Sequence, residues 1–177
     1  MTPADITIRT ATPTDADLLC TLGIKTFREA FGAYNTEANM LLYFNETFTE
    51  ERIVDELQDP QTAAWFIAEH QGEAVGYAKL RTGKAPLARK DEKTIELQRI
   101  YSVKSYLGKG VGKALLQCCL EFAQSHDFDS MWLGVWEHND HAQDFYARWG
   151  FEKFGQHVFT LGTDDQTDLL MVKKLKP

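Results

Sequence analysis

The sequence predicts a single α/β (α+β) domain, with a mixed, mostly antiparallel twisted sheet of about seven strands and helices on both faces. Three observations predict it. The 177 residues suit one domain with a sizeable core. Hydrophobic residues make up 44% and charged residues 25%, close to globular averages, which excludes a wholly disordered chain. Segments of strand period and of helix period alternate, and both tight hairpin turns and longer crossovers join them.

Residues 6–10 alternate and read as a short strand. Thr12-Pro13-Thr14-Asp15 looks like a helix start, with Pro13 where its missing N–H costs nothing. Leu18, Leu19, Leu22, Phe27 and Phe31 predict a helix over 14–31, and helical stretches follow Thr36 and Thr49. Residues 64–68 and 74–80 flank Gln71-Gly72 as a hairpin. Residues 82–93 read as a loop and 94–102 as a strand. Val111, Leu115, Cys119 and Phe122 line one side of a helix over 110–125. Residues 131–136 read as a buried strand, 139–149 as a helix that Gly150 ends, and 158–161 with 169–172 as a last hairpin around 162–165.

Composition narrows the function. The net charge of −7 argues against a general nucleic-acid binder and leaves room for a cationic substrate. No apolar run approaches the ~20 residues of a membrane span, and the first five residues lack the pattern of a signal peptide. Cys20, Cys118 and Cys119 form neither a disulfide framework nor a zinc pattern. A reducing cytoplasm and no metal are expected. Residues 36–60 hold Glu37, Glu46, Glu50, Glu51, Asp55, Glu56 and Asp59 against the single base Arg52. They read either as a solvated face or as an acidic rim that attracts a polycation.

The most informative stretch is Leu107-Gly108-Lys109-Gly110-Val111-Gly112-Lys113, between a strand and an amphipathic helix. Glycine permits positive φ and lets a ligand approach the backbone. The first helical turn leaves N–H groups without intrahelical partners and adds partial positive charge, so a pyrophosphate fits there. Lys109 and Lys113 can add point charges. The spacing is neither the GxGxxG of a dinucleotide fold nor the GxxxxGK[ST] of a Walker loop.

Downstream, Asn139, Ala142, Phe145, Tyr146, Gly150 and Phe151 complete the pattern NxxAxxFYxxxGF. With the glycine turn, this resembles the GCN5-related N-acetyltransferase (GNAT) superfamily, whose phosphate loop reads QxxGxG. Leu107 stands where Gln or Arg is usual. The resemblance covers residues 5–175 and is tightest over 94–175. Residues 133–139 and 154–169 resemble the bacterial spermidine/spermine N-acetyltransferase branch.

The resemblance implies acetyl transfer from acetyl-CoA to a primary amine. It implies acceptor-side helices over residues 14–58, a cofactor-binding core over 94–150 and a C-terminal hairpin over 151–175. Ile100, Tyr101 and Ser102 are expected beside the pantetheine arm, because in the family this strand splays from its neighbour and offers free backbone groups. Gly108, Lys109, Gly110, Val111, Gly112 and Lys113 are expected at the pyrophosphate, Asn139 at the arm and Arg148 at a phosphate. Tyr146 is the expected general acid and Glu96 the expected base, with Glu137 and His157 in reserve. The expected acceptor is a polyamine such as spermidine or spermine. A protein or peptide amine, an aminoglycoside, or a non-catalytic acyl-CoA-binding regulator are the alternatives. Family members often form homodimers.

Overall fold

A computed structural model describes residues 5–177; residues 1–4, part of the N-terminal stretch read above as lacking a leader, lie outside the described residues. Seven strands form one sheet in the order β1-β2-β3-β4-β5-β7-β6. They are β1 (Ile6–Thr10), β2 (Ala63–His70), β3 (Glu73–Arg81), β4 (Thr94–Ser102), β5 (Ser130–Trp136), β6 (Glu152–Leu161) and β7 (Asp164–Lys174). The α-helices are α1 (Ala16–Phe31), α2 (Glu37–Thr47), α3 (Glu50–Gln58), α4 (Val111–Ser125) and α5 (Asp140–Arg148). Every junction is antiparallel except β4 with β5, which is parallel. Among the described residues no helix is long and apolar enough to cross a membrane.

Local chemistry sets the boundaries. Thr36 and Thr49 cap α2 and α3, each accepting a hydrogen bond from the backbone N–H three residues on, at 3.2 and 3.3 Å. Asn139 does the same for α5 through Ala142, at 3.2 Å. Boundaries differ from the sequence expectation at the first helix and in the last hairpin, whose strands are longer than expected, β6 starting at Glu152 rather than 158. The first helix is preceded by a 3₁₀ turn, Pro13–Asp15. There the Asp15 carboxylate holds the Thr12 N–H at 2.8 Å and is gripped by Arg9. The last hairpin turns at Gly162 and Thr163 alone, so Asp164 and Asp165 lie in β7.

Strand alternation sorts the side chains onto two faces. On one face Phe66 meets Phe122 of α4 with ring centroids 5.6 Å apart, and Ala78, Leu80 and Leu97 share that apolar layer. On the other, Trp65, Tyr77 and Tyr101 stack across three strands at 5.8 and 5.9 Å. Phe27 of α1 packs on the end of that row, 6.5 Å from Tyr101.

The register of β3 against β4 slips once: Lys79 opposes Arg99 but Leu80 opposes Leu97, which leaves Gln98 unmatched. Such a bulge reverses alternation beyond it. It therefore puts Glu96 and Arg99, three residues apart, on the same face as Tyr77, Lys79 and Arg81. Unbroken alternation would have sent one of them into the apolar layer against α4.

Gly76 on β3 is where α4 begins to pack. A Cβ there would lie 2.7 Å from both the Tyr101 carbonyl and Val111 Cγ1. Gly76→Ala is expected to destabilise the protein by about 1–3 kcal/mol, the usual cost of overpacking a filled site. An unchanged urea midpoint would show that β4 and α4 can move aside freely.

Candidate active site

The pairing of β4 with β5 is short. Thr94, Ile95 and Glu96 align with Ser130, Met131 and Trp132, and then the strands part. β4 continues along β3 as far as Ser102, while β5 continues along β7 as far as Trp136. One edge of residues 97–102 is thus left without a strand partner. Two cavities flank the gap, and Phe31, Ile100, Tyr101, Asn139, Ala142 and Tyr146 line both.

The first cavity, about 600 Å³, runs between β4 and the start of α4. Gly110 precedes α4 with φ +92°, and Gly108 has φ +75°. A Cβ at either position would meet nothing within 4 Å. The space above the loop is open, so the chain's own packing does not require glycine there, although the backbone angles do. The first intrahelical acceptor is the Gly110 carbonyl, reached by the Ala114 N–H at 3.0 Å. The N–H groups of Val111, Gly112 and Lys113 precede it and have no intrahelical acceptor.

Most residues expected at a cofactor line this cavity: Ile100, Tyr101, Ser102, Gly108, Gly110, Gly112, Lys113, Asn139 and Arg148. Two side chains do not. Val111 is buried against Gly76, and the Lys109 ammonium sits 5.2 Å from the centre of the Tyr106 ring. Buried Val111 can contribute only through its backbone, whereas exposed Lys109 lies beside Tyr106, which does line the cavity. Leu107, at the odd position of the loop, is 63% exposed on the rim. Sequence reasoning missed Glu29, whose carboxylate accepts the Lys104 N–H at 2.7 Å and ties α1 to the loop. It also missed Tyr106, whose hydroxyl bonds His70 Nδ1 at 2.9 Å. Neither has a motif signal, since both depend on distant partners.

The second cavity, about 220 Å³, lies over the polar face of β4 and is closed by α1, α2 and the β6–β7 hairpin. Asn39 of α2 accepts hydrogen bonds from the Thr163 N–H and hydroxyl at 3.0 and 3.1 Å. Gln166 donates to Asn35 Oδ1 at 2.7 Å, and Tyr43 packs on Phe159 at 5.8 Å. Glu96, only 6% exposed, lines this cavity with both oxygens turned to the Arg81 guanidinium. His157 and Asp168, opposite one another on β6 and β7, line it too, 3.5 Å apart. The hydrogen bond that His157 donates to the Asp168 carboxylate raises the His157 pKa above the ordinary imidazole value. Glu137 lines neither cavity and sits beside His138.

Tyr146 lies where the cavities meet and is 8% exposed. Burial raises its phenol pKa well above 10, so the hydroxyl keeps its proton at neutral pH. The acidic segment behaves differently from the rim considered above. Glu37 pairs with Arg28 at 2.5 Å, and Glu56 with Lys79 at 2.6 Å. Among the described residues, none of the seven acids of 36–60 lines either cavity. The reason is topological: α3 packs over β2, away from the gap between β4 and β5.

The arrangement is a passage across a split sheet, with a helix N-terminus at one mouth and paired charges at the other. The model of the acetyltransferase (GNAT) family matches residues 26–151, which span both cavities' principal elements. An uncharacterised N-acetyltransferase of Lactobacillus delbrueckii subsp. lactis is 37% identical over 151 residues, covering 85% of this chain and 87% of that one. A probable spermine N(1)-acetyltransferase of Bacillus subtilis subsp. natto is 31% identical over 109 residues, 60% of this chain and 66% of that one. The crystal structure of the PaiA N-acetyltransferase from Thermoplasma acidophilum, in complex with coenzyme A, shares the fold. Its TM-score is 0.80 at 20% identity, over 96% of this chain and 98% of that one. On the family match and the fold together, the chain belongs to the GNAT acetyltransferase family.

Proposed function

We propose that the chain transfers the acetyl group of acetyl-CoA to the primary amine of a small acceptor, by direct attack across the gap between β4 and β5. The observation that carries this reading is the meeting of two cavities at Tyr146 and Tyr101. The larger one suits an extended cofactor: its pyrophosphate at Gly108–Lys113, its amide-bearing arm along Ile100–Ser102. The free edge of β4 offers that arm backbone groups as an added strand would. Asn139 flanks it, and Arg148 and Lys113 border the phosphate end.

The chemistry follows from the charges. An alkylamine has a pKa near 10.4 and arrives protonated. Glu96 takes that proton, while Arg81 holds the carboxylate in place. The amine nitrogen then forms a bond to the thioester carbonyl carbon, and the carbon–sulfur bond breaks. The CoA thiolate leaves with a proton from Tyr146, and the phenolate so formed takes back the extra proton that the acylated nitrogen still carries, which leaves a neutral amide and a neutral phenol. Burial keeps Tyr146 protonated until that moment, and because a phenol is a weaker acid than a thiol of pKa near 8.5, the recovery of the nitrogen's proton is what draws the transfer forward.

A polyamine acceptor draws support from the likeness to the probable spermine N(1)-acetyltransferase. It also draws on the two carboxylates, Glu96 and Asp168, that line the smaller cavity. The segment 36–60 no longer contributes to that support, since it faces elsewhere.

Gly110→Asp puts negative charge and a strained backbone angle at the loop, and is expected to abolish measurable CoA binding in calorimetry. A folded Gly110→Asp protein with unchanged CoA affinity would remove the cofactor assignment at this turn. Tyr146→Phe is expected to lower kcat by about 10²–10⁴-fold, with acetyl-CoA affinity held within a few-fold. A kcat within twofold of the parent, in single-turnover experiments that isolate the chemical step, would reduce Tyr146 to a packing role.

A further inference from the structure

The polar face of β3 and β4 carries three cations, two of them nearly buried, and two of the three have carboxylates. Lys79, 3% exposed, meets Glu56 at 2.6 Å, and Arg81 meets Glu96. Arg99, 7% exposed, has none. Its guanidinium lies over the Phe48 ring at 4.8 Å and the Trp65 ring at 5.7 Å, and no carboxylate among the described residues lies within ion-pair distance of it. Glu56, on the helix above, is already held by Lys79. A guanidinium cannot shed its proton to escape burial, and a desolvated charge without a counter-ion is costly. Stacking on two rings orients the group but leaves its N–H donors without acceptors. Those donors border the smaller cavity, the one that faces Tyr146.

We infer that the acceptor is a small aminocarboxylate whose carboxylate group is bound by Arg99. This inference rests on the acetyltransferase reading above and names the substrate class for the same site. A carboxylate completes the guanidinium's fork with two parallel N–H···O bonds. The amine end of such a molecule has Glu96 and Asp168 in the lining of the same cavity. The size agrees: about 220 Å³ is below the range of roughly 300–1,000 Å³ typical of drug-sized sites. A polycation in this place would instead meet Arg99 with Lys79 directly across the strand pair. The Gln98 bulge is what brings Arg99 to this face at all.

The test is an acetyl-CoA turnover screen of the wild-type protein against the standard amino acids, their carboxamides, spermidine and spermine. The expected result is that the best acceptor is a free acid, with kcat/KM about 10- to 100-fold above that of its own carboxamide, the effect of one charge-assisted pair. In Arg99→Gln that ratio is expected to fall toward one, with KM for acetyl-CoA unchanged. Preference for a polyamine or a carboxamide over every free acid would overturn the inference while leaving the acetyltransferase reading intact. An acid preference that survives in Arg99→Gln would overturn the role of Arg99. No acetylation of any amine, together with no CoA binding, would strike the acetyltransferase reading and the inference with it. The wild-type comparison decides the substrate class even if the variant does not fold.

Discussion

The molecule depends on a sheet that stays whole at one end and comes apart at the other. Three residue pairs join β4 to β5, and past Glu96 and Trp132 each strand keeps only its outer neighbour. A backbone edge deprived of its partner is ordinarily a liability in a folded domain. Here the edge borders both cavities, where a bound chain with amide groups can satisfy it. The same parting lets Tyr146, carried by a helix that follows β5, reach a position shared by the two cavities. Closing the split would remove the passage while improving the hydrogen bonding of the sheet.

The two mouths of the passage are built by different physics. At the larger one, backbone donors without intrahelical acceptors at the head of α4 and open space above two glycines suit an anion with few side chains involved. At the smaller one, the lining is side-chain charge held in low-dielectric surroundings, where an unpartnered cation is costly. Lys79 shows the strength of that environment: burial, with Arg99 adding to it, pulls its pKa down to about 8 despite the contact with Glu56. Backbone recognition tolerates exchange of side chains such as Leu107, whereas side-chain recognition does not.

Much of this was legible in the sequence, and the reasons are local. Alternating glycines before an amphipathic helix can be read from spacing alone, whereas Asn139 and the aromatic pair Phe145-Tyr146 stood out through the family pattern that they complete. The strand and helix order followed from periodicity. Arg99 could not be read, because plain alternation puts it on the face opposite Glu96 and only the bulge at Gln98 reverses that. The pairing of Glu96 with Arg81 depends on the register of two strands fifteen residues apart in sequence. Composition could not choose between a solvated face and an acidic rim, because it records charge but not direction: α3 carries its acids over β2, and two of the seven are spent on Arg28 and Lys79.

The helix α2 and the tip of the β6–β7 hairpin are fastened together. Asn39 closes on Thr163, Asn35 on Gln166 and Tyr43 on Phe159, and a Cβ on Gly162 would collide with Asn39 itself. These segments lie far apart in sequence, yet they form one wall of the smaller cavity. Mechanically they act as a single unit. Replacing α2 alone with that of a relative would leave the Thr163 amide without its acceptor and the hairpin tip badly seated. Reshaping this wall therefore calls for changing helix and hairpin together, whereas substitutions on the floor of the cavity leave the fastening untouched.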